Sequence, residues 1–262
     1  MASKVPAPVA SKEVTVSRLG GLMAQDVGQG TEDIAAQDMV IPFLTVLQAL
    51  SPQLDKKKGE FIKGASAGMI MNTATKDVFD GDEGILVVPC YYQRRITEWI
   101  PRKAGGGFVR DWTEDPDILN RVKQNAERKR VTPEGNDIVE SATFYCLHLG
   151  RSDIMRCVIS MSSTQWQPAR RWNTMIAQQR VTVGDLRRPA PIYYRAYHLA
   201  TTGFSNDSGS WYGWVPNPGS SLEEMKNGME VYNEARAYYM AAHGGEVSTQ
   251  PQSQEDEKEI PF

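Results

Sequence analysis

A mainly β chain with added helices (an α+β fold) is what the 262-residue sequence predicts, and three observations carry that expectation. The run ILVVPCYYQRRITEWI at 85–100 is long and dense in β-branched and aromatic residues. Two further runs of the same kind, SATFYCLHLG at 141–150 and IMRCVISMS at 154–162, meet across a polar turn. Helical spacing is confined to a few stretches between such runs. Apolar residues make up 40% of the chain, with six Trp, ten Tyr and seven Phe, enough for a sizeable core.

Taken in order, residues 1–37 mix Pro, Ala, Ser, Gly and Gln without an apolar period and read as a flexible arm. Order is expected from 38 to 243. Residues 38–50 (DMVIPFLTVLQAL) suit a short helix with Pro42 in its first turn. The Lys56, Lys57, Lys58 run reads as a solvated face, and 68–84 as a short strand with turns. In 85–100, alternation sets Leu86, Val88, Cys90, Tyr92, Ile96 and Ile100 on a core face and Tyr91, Gln93, Arg95, Thr97 and Trp99 on the opposite face.

After a glycine turn at 105–107, FVRDW reads as a partner strand, and 115–130 as a polar helix or excursion ending in Arg128, Lys129 and Arg130. Residues 162–180 have helical spacing, with Trp172, Met175 and Ile176 inward. PIYYRAYHLATTG and SWYGWV read as a hairpin across GFSNDSG. Ser220 is expected to cap a last helix that stops at Gly244 and Gly245. Residues 244–262 have the composition of a disordered acidic tail.

Several functions find no support. No apolar run approaches a membrane span and the N-terminus has no signal-peptide core, so a protein of the cytoplasm (of the host, if viral) with no membrane partner is expected. Cys90, Cys146 and Cys157 are odd in number and form no C-x-x-C pair, and read as buried small hydrophobes. Phosphate-loop, nucleophile-elbow and zincin motifs do not occur, and His148, His198 and His243 are far apart in sequence. No enzyme activity, metal or cofactor is therefore expected. Asp111, Asp115 and Asp117 could bind Mg²⁺ in a nuclease, but they sit in an expected turn and read as solvating it.

The net charge of −3 conceals a division along the chain. Residues 90–198 carry 18 Lys and Arg against 11 Asp and Glu, whereas 199–262 carry 3 against 10. A basic middle and an acidic end suit a nucleic-acid binder with an acidic tail. In the basic segment, cations alternate with rings. Single-stranded nucleic acid needs cations along its phosphates and flat rings for its unpaired bases, each stacked base contributing roughly 1–3 kcal/mol. The stacking candidates are Tyr91, Trp99, Trp112, Trp166 and Tyr193. The phosphate candidates are Arg94, Arg95, Arg102, Lys103, Arg110, Arg170, Arg171, Arg187 and Arg188, with Arg195 beside Tyr193. Rings alternating along strands are also the ordinary filling of a β core, so each ring has a structural reading too.

The chain closes on Glu255-Asp256-Glu257-Lys258-Glu259-Ile260-Pro261-Phe262. Phe262 could enter an apolar pocket of a partner while an Arg of that partner takes the terminal carboxylate. This ending resembles the acidic tip of bacterial single-stranded-DNA-binding proteins. Ile260, Pro261 and Phe262 match the tip, Glu257 and Glu259 stand at its acidic positions, and Lys258 interrupts them. The longer body resembles, in layout, the diverged single-stranded-DNA-binding proteins of bacteriophages. The resemblance implies an OB-fold-like barrel with insertions at 38–243 and a tail at 244–262 that recruits replication, recombination or repair proteins. It implies sequence-independent binding of single-stranded DNA. Alternatives are a strand-annealing recombination protein and a transcription co-regulator whose tail contacts RNA polymerase.

Overall fold

The computed structural model describes residues 40–126, 129–151, 153–207 and 209–247, with scattered positions between 21 and 33. Most of the expected arm, Arg128, the Arg102 side chain and the tail from 248 onward lie outside the described residues. The chain divides into Met1–Val40 and Ile41–Phe262, and the second unit holds the architecture below. Its strands are β1 (Leu44–Val46), β2 (Ile70–Asn72), β3 (Val78–Phe79), β4 (Ile85–Trp99), β5 (Phe108–Asp111), β6 (Lys123–Gln124), β7 (Arg130–Val131), β8 (Asp137–Leu149), β9 (Ile154–Ser162), β10 (Arg180–Val183), β11 (Leu186–Pro189), β12 (Arg195–Asn206) and β13 (Gly209–Ser221). Its helices are α1 (Ile118–Arg121), α2 (Trp166–Ala177) and α3 (Gly228–His243). The unit is mainly β with a few helices, as the sequence predicts.

An eight-stranded antiparallel sheet, curled into a half-barrel, runs in the order β13-β12-β4-β8-β7-β6, with β5 also on β4 and β9 also on β8. β4 is its spine. β8 pairs with β4 along one edge from Val87 to Trp99, and the other edge takes β12 at Ile85 to Val87 and β5 at Thr97 to Trp99. A three-stranded sheet, β1-β2-β3, lies between β9 and β13. On one side Val158 N–H donates to the Pro42 carbonyl. On the other, Gln48 bonds the Tyr212 backbone. Thr201 anchors the loops before β4 and β2, donating from its N–H to the Gly81 carbonyl and from its hydroxyl to the Gly68 carbonyl. A side chain at Gly81 would collide with that same carbonyl, so glycine is required at this approach.

The expected helix at 38–50 is corrected to strand β1 within its described part. Ile41, Thr45 and Val46 are β-branched, and pairing with β2 and β9 outweighs the weak local signal of Pro42. The excursion at 115–130 contains the four-residue α1 and the short β6. The hairpin β10-β11 was not expected. The helix cap falls on Ser221, which forms a capping box with Glu224, and a 3₁₀ turn precedes α3.

Both sheet faces are covered. Leu44, Ile70, Ile85, Val87, Phe144, Ile159 and Trp172 of α2 fill one face. Val88, Cys90, Tyr145, Leu147, Val158, Val231 and Tyr238, the last two from α3, fill the other. The alternation expected along β4 fails at one residue. Cys90 is an extra residue between Pro89, opposite Cys146, and Tyr91, opposite Tyr145. This bulge reverses the parity beyond it. Tyr91 therefore joins Leu86, Val88 and Cys90 toward α3, and Tyr92 joins Ile85 and Val87 toward α2.

Candidate nucleic-acid interface

Beyond the bulge, Arg94, Ile96 and Glu98 are alternate residues and share a face of β4. Ile96 packs with Ile118 and Ile138, and Trp112, Leu119 and Val122 close over this small cluster. Trp112 is held in place by its indole, whose Nε1 donates to Glu98 Oε2 at 2.8 Å. Asn136 Nδ2 donates to the other oxygen, Oε1, at 2.7 Å, so the buried carboxylate has a donor on each side. Two guanidinium groups lie over the half-buried Trp112 ring, Arg110 at 4.0 Å and Arg121 at 5.4 Å from its centroid. Asp115 pairs with Arg121.

One register step along, Glu140 lies opposite Ile96 and pairs with both Arg94 and Arg130. The Arg94 guanidinium stands 6.0 Å from the centroid of Trp166, at the start of α2. The preceding residue, Gln165, ties this helix start to β13: its Oε1 accepts from Trp214 N–H at 3.1 Å. Gln165 and the Phe204 ring both lie against Gly213, where an added Cβ would come within 2.9 Å of each. Phe204 stacks on Trp211, its cross-strand partner, with centroids 6.0 Å apart and 20° between planes, and Phe204 is exposed. The alternation of rings and cations thus brings Trp112 together with Arg110, whereas Trp166, expected beside Arg170 and Arg171, meets Arg94 through the fold. Sequence reasoning missed Arg121 and the Phe204–Trp211 pair; the signal for the pair was their symmetric placement about the β12-β13 turn.

Other candidates fall elsewhere. Trp99 is 5% exposed, donates from Nε1 to Thr97 Oγ1 at 2.9 Å and meets Phe108 edge-on, so it is a core ring rather than an open-face one. The Arg95 side chain is only 12% exposed and pairs with Asp111. Burial opposes ionisation of Asp111, but the hydrogen bonds from Arg95 and Thr113 outweigh it and hold the carboxyl below its usual range. Tyr91 packs among Tyr145, Tyr239 and His243, and Tyr193 among Tyr232 and Tyr239, both half-buried against α3. Burial raises the Tyr193 phenol above its usual range. Tyr91, Arg95 and Trp99 therefore do not line a single open groove, and the Cys90 bulge together with α3 is the reason.

Arg195 is half-buried at the start of β12, and Lys103 is exposed in the turn after β4. Arg170 and Arg171 are exposed on α2, as are Arg187 and Arg188 on β11. Arg102 is placed by its backbone alone, and Glu257, Glu259, Ile260, Pro261 and Phe262 lie outside the described residues. Cys90, Cys146 and Cys157 are buried and unpaired, and desolvation pushes each thiol above its usual range. Among the described residues no cluster of His, Cys, Asp or Glu is placed to hold a metal ion, and no helix is long and apolar enough to cross a membrane.

No curated protein matches the chain. No solved structure matches it either. A family profile described as Pam3 phage gp34-like protein does match, over residues 15–248, which leaves the Ile260-Pro261-Phe262 tip beyond the matched part. That agrees with the layout resemblance to bacteriophage proteins at the level of a phage family. With 15–248 of its 262 residues matched, the chain belongs to the Pam3 phage gp34-like protein family.

Proposed function

We propose that this protein binds single-stranded DNA without sequence preference and protects it during phage DNA replication, recombination and repair. The observation that carries the reading is the Trp112 ring with the Arg110 and Arg121 guanidiniums over it, on the connection between β4 and β8. The ring offers a stacking surface for a base, and Arg110, which forms no ion pair among the described residues, offers charge for a flanking phosphate, while Asp115 neutralises Arg121.

The topology supports where this cluster sits. β4, β8, β9, α2, β12 and β13 succeed one another, and the five strands pair in the order β13-β12-β4-β8-β9 with a helix between the third and fourth. That connectivity is the one expected of an OB-fold barrel, with β1 in place of direct contact between its third and fifth strands. Oligonucleotides approach such barrels on the face of the second and third strands and on the connections after the first and fourth. Here α3 occupies that face: Val231, Ala235 and Tyr238 bury Tyr145, Leu147 and Val158, and Tyr238 Oη donates to the Cys157 carbonyl at 3.2 Å. The two connections are left. One carries Arg110, Trp112 and Arg121, and the other carries Phe204 and Trp211. The tail then serves partner proteins, with Phe262 as its apolar anchor and Glu257 and Glu259 beside it.

Competition between an oligo-dT strand and a duplex of equal length tests the reading by fluorescence anisotropy. Preference for the single strand is expected. Equal affinity for the duplex, or no binding to either, contradicts it.

A further inference from the structure

The cations around Trp112 and Trp166 are largely spoken for, since Glu140 takes Arg94 and Arg130, Asp111 takes Arg95, and Asp115 takes Arg121. A different segment holds charge without this neutralisation. From Trp166 to Ala190 the sequence contains five Arg and a single acid, Asp185. Arg170, Arg171, Arg187 and Arg188 are exposed and form no ion pair among the described residues.

Much of this charge lies on β10-β11, a ribbon that makes its own two-stranded sheet and is exposed at every position except Val181. Gly184, at φ 61°, makes its two-residue turn with Asp185. Isolated two-stranded ribbons are marginal in water, so the attachment at the base matters. Arg180 Nη1 donates to the Ala177 and Gln179 carbonyls at 2.7 and 2.8 Å, and Ala190 N–H donates to the Gln179 carbonyl at 3.1 Å. The ribbon therefore grows from the C-terminus of α2 on a fixed base. The cross-strand pairs Val183–Leu186 and Val181–Arg188 share one face, and Thr182–Arg187 lies on the other. Val183 and Leu186 are each 58% exposed at the tip.

We propose that the β10-β11 ribbon is a second contact arm for the same single strand: Arg187 and Arg188 take phosphates, and the Val183–Leu186 tip lies against bases. The proposal rests on the function proposed above and adds a site to it. Charge complementarity selects the occupant, because exposed, unneutralised guanidiniums on both faces of the ribbon, Arg188 on the face of the apolar tip pair and Arg187 on the other, fit a flexible polyanion with apolar faces that wraps the ribbon.

The test is a salt series of oligo-dT titrations with the full chain, Arg187→Ala/Arg188→Ala, Arg187→Lys/Arg188→Lys, and Val183→Ser/Leu186→Ser. Loss of two phosphate contacts should reduce the slope of log K against log salt by about 1.4, which is about 25-fold in affinity at 0.1 M salt relative to 1 M. The lysine pair should restore the slope, and the serine pair should weaken binding without changing it. If the full chain binds and all three variants match it in affinity and slope, the arm proposal is overturned and the barrel reading stands. If the full chain itself fails to bind, the function proposal falls first. Circular dichroism of each variant guards against misfolding; since the substituted side chains are exposed, unchanged spectra are expected.

Discussion

The Gln48 side chain makes both hydrogen bonds of a strand partner to Tyr212: Oε1 accepts from the Tyr212 N–H at 2.9 Å, and Nε2 donates to its carbonyl at 3.0 Å. Gln165 continues the pattern, with Oε1 on the Trp214 N–H at 3.1 Å and Nε2 on the Tyr212 carbonyl at 3.3 Å. Two amide side chains thus cover the edge of β13, which would otherwise present unpaired backbone groups. Both glutamines are 8% exposed, so no bulk water replaces them easily.

Truncating this clip should cost stability. Gln48→Ala leaves the Tyr212 amide and carbonyl short of a partner in a buried setting, a loss of about 2 kcal/mol for the pair of bonds. Urea unfolding followed by tryptophan fluorescence measures it. An unchanged midpoint would mean that β13 does not depend on Gln48.

Trp99 and Trp112 should separate fold from binding. Trp99→Ala empties a buried site and should cost about 3–5 kcal/mol of stability. Trp112→Ala should lower oligo-dT affinity by about tenfold or more, in line with roughly 1–3 kcal/mol per stacked base, while Trp112→Phe, which equally leaves the buried Glu98 carboxylate a donor short, keeps a ring and most of the affinity. Calorimetric melting paired with anisotropy distinguishes the two residues. A Trp112→Ala variant that binds as tightly as the full chain would remove that ring from the site.

How far the fold was legible follows from particular residues. The strands at 85–100 and 141–162 were plain because β-branched and aromatic residues crowd them. Their facing was not, because a bulge depends on the partner strand: nothing local marks Cys90 as the extra residue opposite the Cys146–Tyr145 step. Alternation alone therefore puts Tyr91 and Trp99 on an open face, which α3 and the Phe108 side of the sheet close. Residues 38–50 misled for the opposite reason, since β1 is three residues long and exists through pairing with β2. Within the site, Arg94–Trp166 joins residues far apart in sequence where spacing points to Arg170 and Arg171 instead, but the Arg110–Trp112 pairing was legible from its spacing. Phe204–Trp211 needed the hairpin register: the two stand symmetrically about the turn, but only a fixed register makes them partners.

Acid should weaken the fold through His148. It is 8% exposed, meets Phe79 edge-on at 5.0 Å, and burial lowers its pKa below the usual value, with Asp153 opposing. A base held neutral in the fold binds its proton less readily than in the unfolded chain. Its contribution is therefore complete above the unfolded value of about 6.5 and is lost as pH falls from there through the lower folded pKa. Denaturation at a series of pH values should show stability declining below about pH 6.5, and His148→Gln should flatten that part of the curve. An identical pH dependence in the variant would assign the loss to other groups.

Removing residues 255–262 should leave oligo-dT affinity unchanged or raise it slightly, because the four acids among them compete with phosphates for the basic surface. Anisotropy at low salt measures this, where screening is weakest. A truncated chain that loses DNA binding would make the tail part of the DNA site.

The central claim, a cationic surface that binds single strands through their backbone, is tested most directly by titrating the full chain with oligo-dT at several salt concentrations. Measurable binding is expected, with log K falling linearly with log salt, by about 0.7 for each phosphate neutralised. Binding that is absent, or that does not change with salt, would contradict it.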